Sequence, residues 1–376
     1  MMSKLPHTTA SIFSVMSQLA NEHEAINLSQ GFPNFPVDER LLEISGRLLK
    51  ENIHQYTPMA GLPSLLDKIA QLTLDNYHKK ISTTTEILVT SGATQGIFMA
   101  INALVDKGDE VIILDPSYDS YEPSVLVAGG IPVRISLNDD YTPNFNRIET
   151  AITSKTKMLI INNPHNPTGK IWTISDFEAL ELILEKHPQI IILSDEVYEY
   201  ISFLHPHISF HTRPKLSNRT IIASSFGKSL HITGWKVGYL ITPENLMSEI
   251  KKVHQFLVFS VNSFSQYVIS EYLDVADFGG IAKMYRQKRD LFQNLIKDSR
   301  FELLPCDGTY FQVVSYKNIS TQNDLEFARE LITKHEVAAI PISVFHNDAA
   351  DRQMLRFCFA KTDETLIAAA EKLNKV

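Results

Sequence analysis

Four short segments of this 376-residue sequence carry residue types that could do chemistry, and each lies beside a run of β-branched residues. Lys228 stands in Ser224-Ser225-Phe226-Gly227-Lys228-Ser229, at the end of one such run. Most lysines are solvated surface charges, but an amine desolvated at a strand end can act as a nucleophile. Lys236, eight residues on, could add a second positive charge for a phosphate. Asp195, in Leu193-Ser194-Asp195-Glu196-Val197-Tyr198-Glu199, follows the apolar run 190–193. Desolvating a lone carboxylate is costly, so Asp195 is expected to meet a cation, with a structural salt bridge or a helix N-cap as the competing reading.

Asn162-Asn163-Pro164-His165-Asn166-Pro167-Thr168-Gly169-Lys170 also closes a strand-like run. Its Gly-Lys pair suggests a nucleotide-binding loop, but Pro164 occupies the place of the required glycine and Ile171 that of the Ser or Thr. The prolines instead make a rigid loop where α/β proteins bind ligands, with Asn166 as a polar contact. In Thr90-Ser91-Gly92-Ala93-Thr94-Gln95-Gly96 small residues join a strand to a helix. They read either as an ordinary turn or as a site where phosphate reaches the helix N-terminus.

The elements that must position these segments are legible as a pattern. Short β-branched runs at 86–90, 110–115, 132–137, 157–162, 189–194, 220–225 and 238–242 alternate with helical stretches such as 175–187. Several runs are apolar on both faces, as strands between two helix layers must be. The spacing predicts a three-layer α/β/α domain with a mostly parallel sheet. Helical patterns also occur at 41–50, 62–80 and 244–275, and those at 281–298, 323–335 and 363–375, with β-rich islands at 310–315 and 354–359, predict a smaller α+β domain built from the C-terminal third and joined by the N-terminus. The expected division is 1–40 joining the small domain, 41–280 as the large domain and 281–376 as the small one.

Composition excludes several classes. Lys+Arg number 35 against 43 Asp+Glu, a net charge of −8, which speaks against nucleic acid as a partner. Cys306 and Cys358 are too few for a disulfide framework or a cysteine-rich zinc site, and read as core residues in a reducing compartment. The first thirty residues lack the order of a signal peptide, and no apolar run spans a bilayer, so the expectation is a soluble cytoplasmic protein. His205, His207 and His211 have no ligand spacing for a metal and are expected on a polar surface loop, and 286–289 on a solvated helix face.

Taken in order, the segments resemble the fold-type I pyridoxal-phosphate-dependent aminotransferases of class I/II, most nearly the methionine and kynurenine aminotransferase (glutamine transaminase K) group. The resemblance covers essentially the whole chain. It is carried by 27–36 (NLSQGFPNFP), 55–61 (QYTPMAG), 90–96 (TSGATQG), 115–123 (DPSYDSYEP), 162–170 (NNPHNPTGK), 194–199 (SDEVYE), 224–239 (SSFGKSLHITGWKVGY) and 355–361 (LRFCFAK).

The resemblance implies a homodimer with its active site at the subunit interface, and a ping-pong exchange between an amino acid and a 2-oxo acid. By position, Lys228 matches the lysine that holds pyridoxal phosphate as an aldimine, and Asp195 the acid facing the pyridine nitrogen. Tyr198 and Asn166 match the partners of the phenolic oxygen, and Tyr118 the aromatic stacked on the ring. Ala93, Thr94, Ser225 and Lys236 match the phosphate cup, reached from the partner subunit by Tyr56. Arg356 matches the clamp on the substrate α-carboxylate, near the backbone of Gly31.

Departures bear on the substrate. Thr94 and Phe13 stand where many kynurenine aminotransferases carry an aromatic and a tryptophan, and Ser260 replaces a histidine of some of them. Phe13, Phe259 and Tyr121 are expected to form an apolar pocket favouring methionine, with aromatic amino acids or glutamine as alternatives. A cysteine-S-conjugate β-lyase using the same Lys228 and Asp195, and a non-catalytic binding protein of this fold, are the rival readings. The missing dinucleotide glycine fingerprint disfavours a nicotinamide dehydrogenase.

Overall fold

In the computed structural model, which describes residues 3–6 and 10–376, the apolar runs become strands. Residues 1, 2 and 7–9 of the N-terminal segment lie outside the described residues. In chain order the strands are β1 (Ile26–Asn27), β2 (Ile87–Thr90), β3 (Glu110–Asp115), β4 (Ile131–Ser136), β5 (Thr156–Asn162), β6 (Ile191–Asp195), β7 (Thr220–Ser225), β8 (Gly238–Ile241), β9 (Glu302–Leu303), β10 (Phe311–Ser315), β11 (Val337–Ala338), β12 (Ile340–Pro341) and β13 (Met354–Cys358).

Seven of them form one sheet in the order β2-β8-β7-β6-β5-β3-β4. Only β8 runs antiparallel to its neighbours. Because side chains alternate along a strand, Met158 and Ile160 enter one core with Ile97, Ile101 and Met247, while Leu159 and Ile161 enter another with Phe177, Leu180 and Leu184. Helices therefore cover both faces. Gly92–Leu104 and Glu244–Leu257 lie on the first face, and Ile174–Leu184, opened by a Thr173–Asp176 capping box, on the second.

A second, antiparallel sheet has the order β12-β13-β10-β9. The N-terminal segment joins this region: β1 pairs parallel with β11, and Met16, Ala20 and Leu28 share a core with Leu331, Leu355 and Phe357. Among the described residues no helix is long and apolar enough to cross a membrane.

Three expectations need correction. The pattern 244–275 is two helices, Glu244–Leu257 and Ser263–Tyr272. Phe259 takes a positive φ of 66°, and the Asn262 side chain accepts from Ser265 N to cap a new helix. The histidine segment is not a polar surface loop: His211 is buried, and His207 is tucked against Glu196, with Nε2 2.8 Å from its Oε2. Nor is 286–289 simply solvated, since the Arg289 guanidinium lies over the Phe203 ring and donates to Cys306 O at 3.0 Å. Both cysteines are buried and free, as expected.

Candidate active site

Strand register brings the four chemical segments to one edge of the large sheet. Asn162 pairs with Asp195 and Asp195 with Ala223, while Gly238 pairs with both Ser225 and Thr90. The loops leaving those positions surround a cavity of about 380 Å³. Gly92, Ala93, Thr94, Tyr118, Asn166, Asp195, Tyr198, Ser225, Lys228 and Lys236 line it from the large sheet. Phe311 and Arg356 close it from the small sheet, and Phe13, Gln30, Gly31 and Phe32 from the N-terminal segment.

Lys228 sits in a single helical turn, Phe226–Ser229, that follows β7. Its Nζ donates to Gly31 O at 3.3 Å and lies 5.7 Å from the Tyr198 ring centroid. Burial pushes the amine down to about 8. At neutral pH a useful fraction of it is therefore unprotonated and nucleophilic. Asp195, at the end of β6, accepts from Tyr121 OH at 2.7 Å and from Val197 N at 3.3 Å. Desolvation raises its pKa to about 6, against the opposing pull of the tyrosine hydrogen bond. A cation placed against this carboxylate would relieve that penalty.

Arg356 on β13 is 1% exposed, and burial lowers its pKa to about 10, so it stays charged at neutral pH. It stacks 3.9 Å from the Phe311 ring centroid and donates to Asn166 Oδ1 at 2.6 Å and to Ser29 O at 3.3 Å. Its Nε has no partner among the described residues. Among the described residues no carboxylate pairs with this guanidinium, an arrangement that is costly when buried, and it lines a cavity into which a carboxylate could come. Asn166 is itself fixed, its N donating to Asn162 Oδ1 at 2.7 Å.

At the opposite end lies a cradle shaped by glycine. A Cβ on Gly238 would sit 2.8 Å from Ala93 N, and one on Gly92, whose φ is +77°, would sit 3.1 Å from Lys236 Nζ. Without those atoms the first N–H groups of helix Gly92–Leu104, Ser225 and the Lys236 ammonium face open space. That combination suits a phosphate. Gly31 is tight for another reason: its Cβ would strike Phe311 Cζ at 2.9 Å.

Two sequence-derived candidates stand apart from this cavity. Tyr56 is 80% exposed and Phe259 49%, and their rings meet edge to face at 5.4 Å on the surface. Tyr121 is not a pocket wall, because its hydroxyl is spent on Asp195 and its ring is in the core. Phe13 does line the cavity, with Phe32 and Ile97. Sequence reasoning missed Phe311, Asp119 and Tyr310, whose OH donates to Gly31 O at 2.6 Å. Asp119 carried a readable signal, standing directly after Tyr118 in a loop at a strand end.

Residues 23–373 match the family described as aminotransferase class I and II. The chain belongs to that family. It is 43% identical over 378 residues to the methionine aminotransferase of Escherichia coli (strain K12), spanning 100% of this chain and 98% of that protein. Against the kynurenine–oxoglutarate transaminase of Dictyostelium discoideum the identity is 32%, over 97% of this chain and 94% of the other. A solved Escherichia coli structure ascribed a methionine aminotransferase function shares the fold with a TM-score of 0.97 at 43% identity, covering 100% and 99% of the two chains. N-Succinyldiaminopimelate aminotransferase from Mycobacterium tuberculosis gives 0.96 at 31% identity, with the same coverage.

The aminotransferase is thus a fold-type I enzyme that uses pyridoxal phosphate to exchange an amino group between an amino acid and a 2-oxo acid. Its residues fit the cofactor on structural grounds. A glycine-shaped anion cradle, a buried carboxylate that forms no ion pair among the described residues and a desolvated lysine surround one cavity.

Proposed function

We propose that this aminotransferase acts on uncharged L-amino acids, methionine foremost, with aromatic amino acids and glutamine as further donors. The observation that carries the reading is Arg356: a buried guanidinium that forms no ion pair with a carboxylate among the described residues, facing a cavity that also holds the Lys228 amine. The apolar Phe13, Phe32 and Ile97 in that cavity suit a thioether or an aromatic ring, and the Escherichia coli relative named above is a methionine aminotransferase.

The residue roles in this reading are those the resemblance implies, and the lining of the cavity supports them. Pyridoxal phosphate, when bound, supplies an aldehyde that takes the amino group and a ring that draws electrons from the substrate Cα. Ala93, Thr94, Ser225 and Lys236 would hold its phosphate. Asp195 would favour a protonated pyridine nitrogen, Tyr198 and Asn166 would offer donors to the phenolic oxygen, and Tyr118 would offer its ring to that of the cofactor. Arg356, with Gly31 beside it, grips the α-carboxylate in the bidentate manner that a lysine cannot offer. Lys228 Nζ takes the proton from the amino acid Cα, a positioned transfer worth on the order of 10²–10⁴-fold in rate.

The same reading includes a homodimer. Tyr56, Phe256 and Phe259 form an exposed apolar surface, with Phe256 87% exposed. A second copy covering it would bring each Tyr56 to the other's phosphate cradle. It also includes the division into segment 1–40, large domain 41–280 and small domain 281–376, and a cytoplasmic location, in keeping with two buried free thiols.

The test is direct. Purified enzyme with pyridoxal phosphate, L-methionine and a panel of 2-oxo acids should form the 2-oxo acid of methionine. Comparable kcat/KM for aspartate and methionine would contradict the substrate reading.

A further inference from the structure

We propose that Lys361 is a positioning residue, which keeps Gly31 and Phe32 in place as a wall of the cavity when ligands engage Lys228 and Arg356. The inference deepens the reading above and rests on the roles given there to those two cations. Four successive carbonyls of the N-terminal loop each accept from a side chain. Ser29 O accepts from Arg356 Nη2 at 3.3 Å, and Gly31 O from Lys228 Nζ at 3.3 Å and from Tyr310 OH at 2.6 Å. Gln30 O and Phe32 O both accept from Lys361 Nζ, at 3.4 and 2.8 Å. The same Nζ lies 5.1 Å from the Phe32 ring centroid, within cation–π reach.

Lys361 follows β13 and is 3% exposed. Lysines are rarely buried so deeply, and this one spends its donors on backbone that lines the cavity through Gln30, Gly31 and Phe32. Its neighbour Thr362 extends the contact, its N donating to Asn34 Oδ1 at 2.7 Å. The loop also steers Phe13, since Gln30 Nε2 donates to Phe13 O at 2.9 Å.

The ties differ in kind. Lys228 and Arg356 line the cavity, so their bonds to Gly31 and Ser29 compete with cofactor and α-carboxylate. Lys361 and Tyr310 lie outside that lining, so their bonds are not drawn away when the site fills. Tyr310 grips Gly31 alone, whereas Lys361 spans the residues on either side of it. In a filled site Lys361 thus holds the loop that brings two apolar walls, Phe13 and Phe32, beside the substrate.

The experiment compares wild type with K361M, K361Q and K361R by steady-state kinetics and by amide hydrogen exchange over 28–36. Exchange is read in the cofactor-free protein and in holoenzyme with the des-amino carboxylate of methionine, which lacks the amine to be transferred. In K361M and K361Q the KM for methionine should rise about tenfold or more, the scale of two lost hydrogen bonds. Their kcat should change less than about threefold, because the wall serves ground and transition states alike. Loop exchange should quicken about tenfold in the ligand-bound holoenzyme and stay near wild type without cofactor, where Lys228 and Arg356 still hold the loop. K361R keeps the donors and should restore most of both. Wild-type KM and exchange in K361M and K361Q would overturn the proposal. So would equal loosening with and without ligands, or failure of both variants to fold with K361R intact, since either makes Lys361 merely structural. Failure of the underlying reading shows instead in wild type, as methionine left unconverted.

Discussion

Arg356 Nη1 donates to Asn166 Oδ1 at 2.6 Å, joining β13 of the small sheet to the loop that leaves β5 of the large one. Asn166 is fixed in turn through Asn162, whose side chain also donates to Asp195 O at 2.9 Å. The proposed carboxylate grip and the backbone of the pyridine-facing acid thus belong to one hydrogen-bonded chain.

Replacing Arg356 with lysine keeps a positive charge but loses the fork and the stacking on Phe311. The expected result is a drop in kcat/KM for methionine of roughly 10–100-fold, the scale of a lost charge-assisted pair. Most of it should fall on KM, because the α-carboxylate is bound in ground and transition states alike. Steady-state kinetics checks this, and a wild-type KM in R356K would remove Arg356 from the carboxylate site.

Lys228 weakens the fold that it serves. Its folded pKa of about 8 is depressed from the ordinary 10.5, so the buried amine destabilises the cofactor-free protein below about pH 8. That penalty fades as pH rises toward the unfolded value. The variant Lys228→Met should be inactive yet more stable at pH 7, by roughly 1–3 kcal/mol. The advantage should shrink between pH 8 and 10.5. Thermal melts of both cofactor-free proteins across that range check the sign.

Asp195 behaves in parallel. Its pKa is raised to about 6, so without a facing cation the folded protein loses stability as pH climbs through that value. Asn at this position keeps an acceptor for Tyr121 OH but not the charge. D195N is expected to melt no lower than wild type at pH 7.5 while losing at least about a hundredfold in kcat, as when a preorganised electrostatic contact is removed. A variant with ordinary turnover would separate Asp195 from the chemistry.

Polar groups at or just past the ends of buried strands were readable in the sequence, because a carboxylate, an amine or an amide there needs a reason. Asp195 ends β6, while Lys228 and Asn166 lie in the loops that leave β7 and β5. What was not readable depends on pairing between distant segments. Phe311 lies under Arg356 only because β10 and β13 pair with Val313 opposite Arg356. The Tyr121–Asp195 bond spans 74 residues, so Tyr121 read as a pocket wall when it is a support beneath the acid. His207 read as surface because the connection after β6 folds back on itself, bringing it to Glu196 eleven residues earlier, which no periodicity signals. The break at 258–262 escaped periodicity because apolar residues continue through it, and the decisive signal was the cap at Asn262.

Phe256 and Tyr56 test the proposed assembly. Placing aspartate at Phe256 puts a charge into a surface 87% exposed in the single chain, so the fold should survive. In a homodimer the same change would desolvate that charge. Sedimentation of F256D should show a shift toward monomer together with weakened cofactor retention. Unaltered mass and affinity would place the dimer surface elsewhere.

The central claim is that Lys228 and pyridoxal phosphate together carry half of a transamination at this cavity. It is tested most directly by the near-visible spectrum of purified enzyme before and after L-methionine, with no 2-oxo acid present. The account predicts a yellow cofactor band that gives way to the amino form of the cofactor as one equivalent of oxo acid appears, with neither change in Lys228→Ala. A protein that stays colourless after incubation with pyridoxal phosphate, or a Lys228→Ala variant that converts methionine as wild type does, would contradict it.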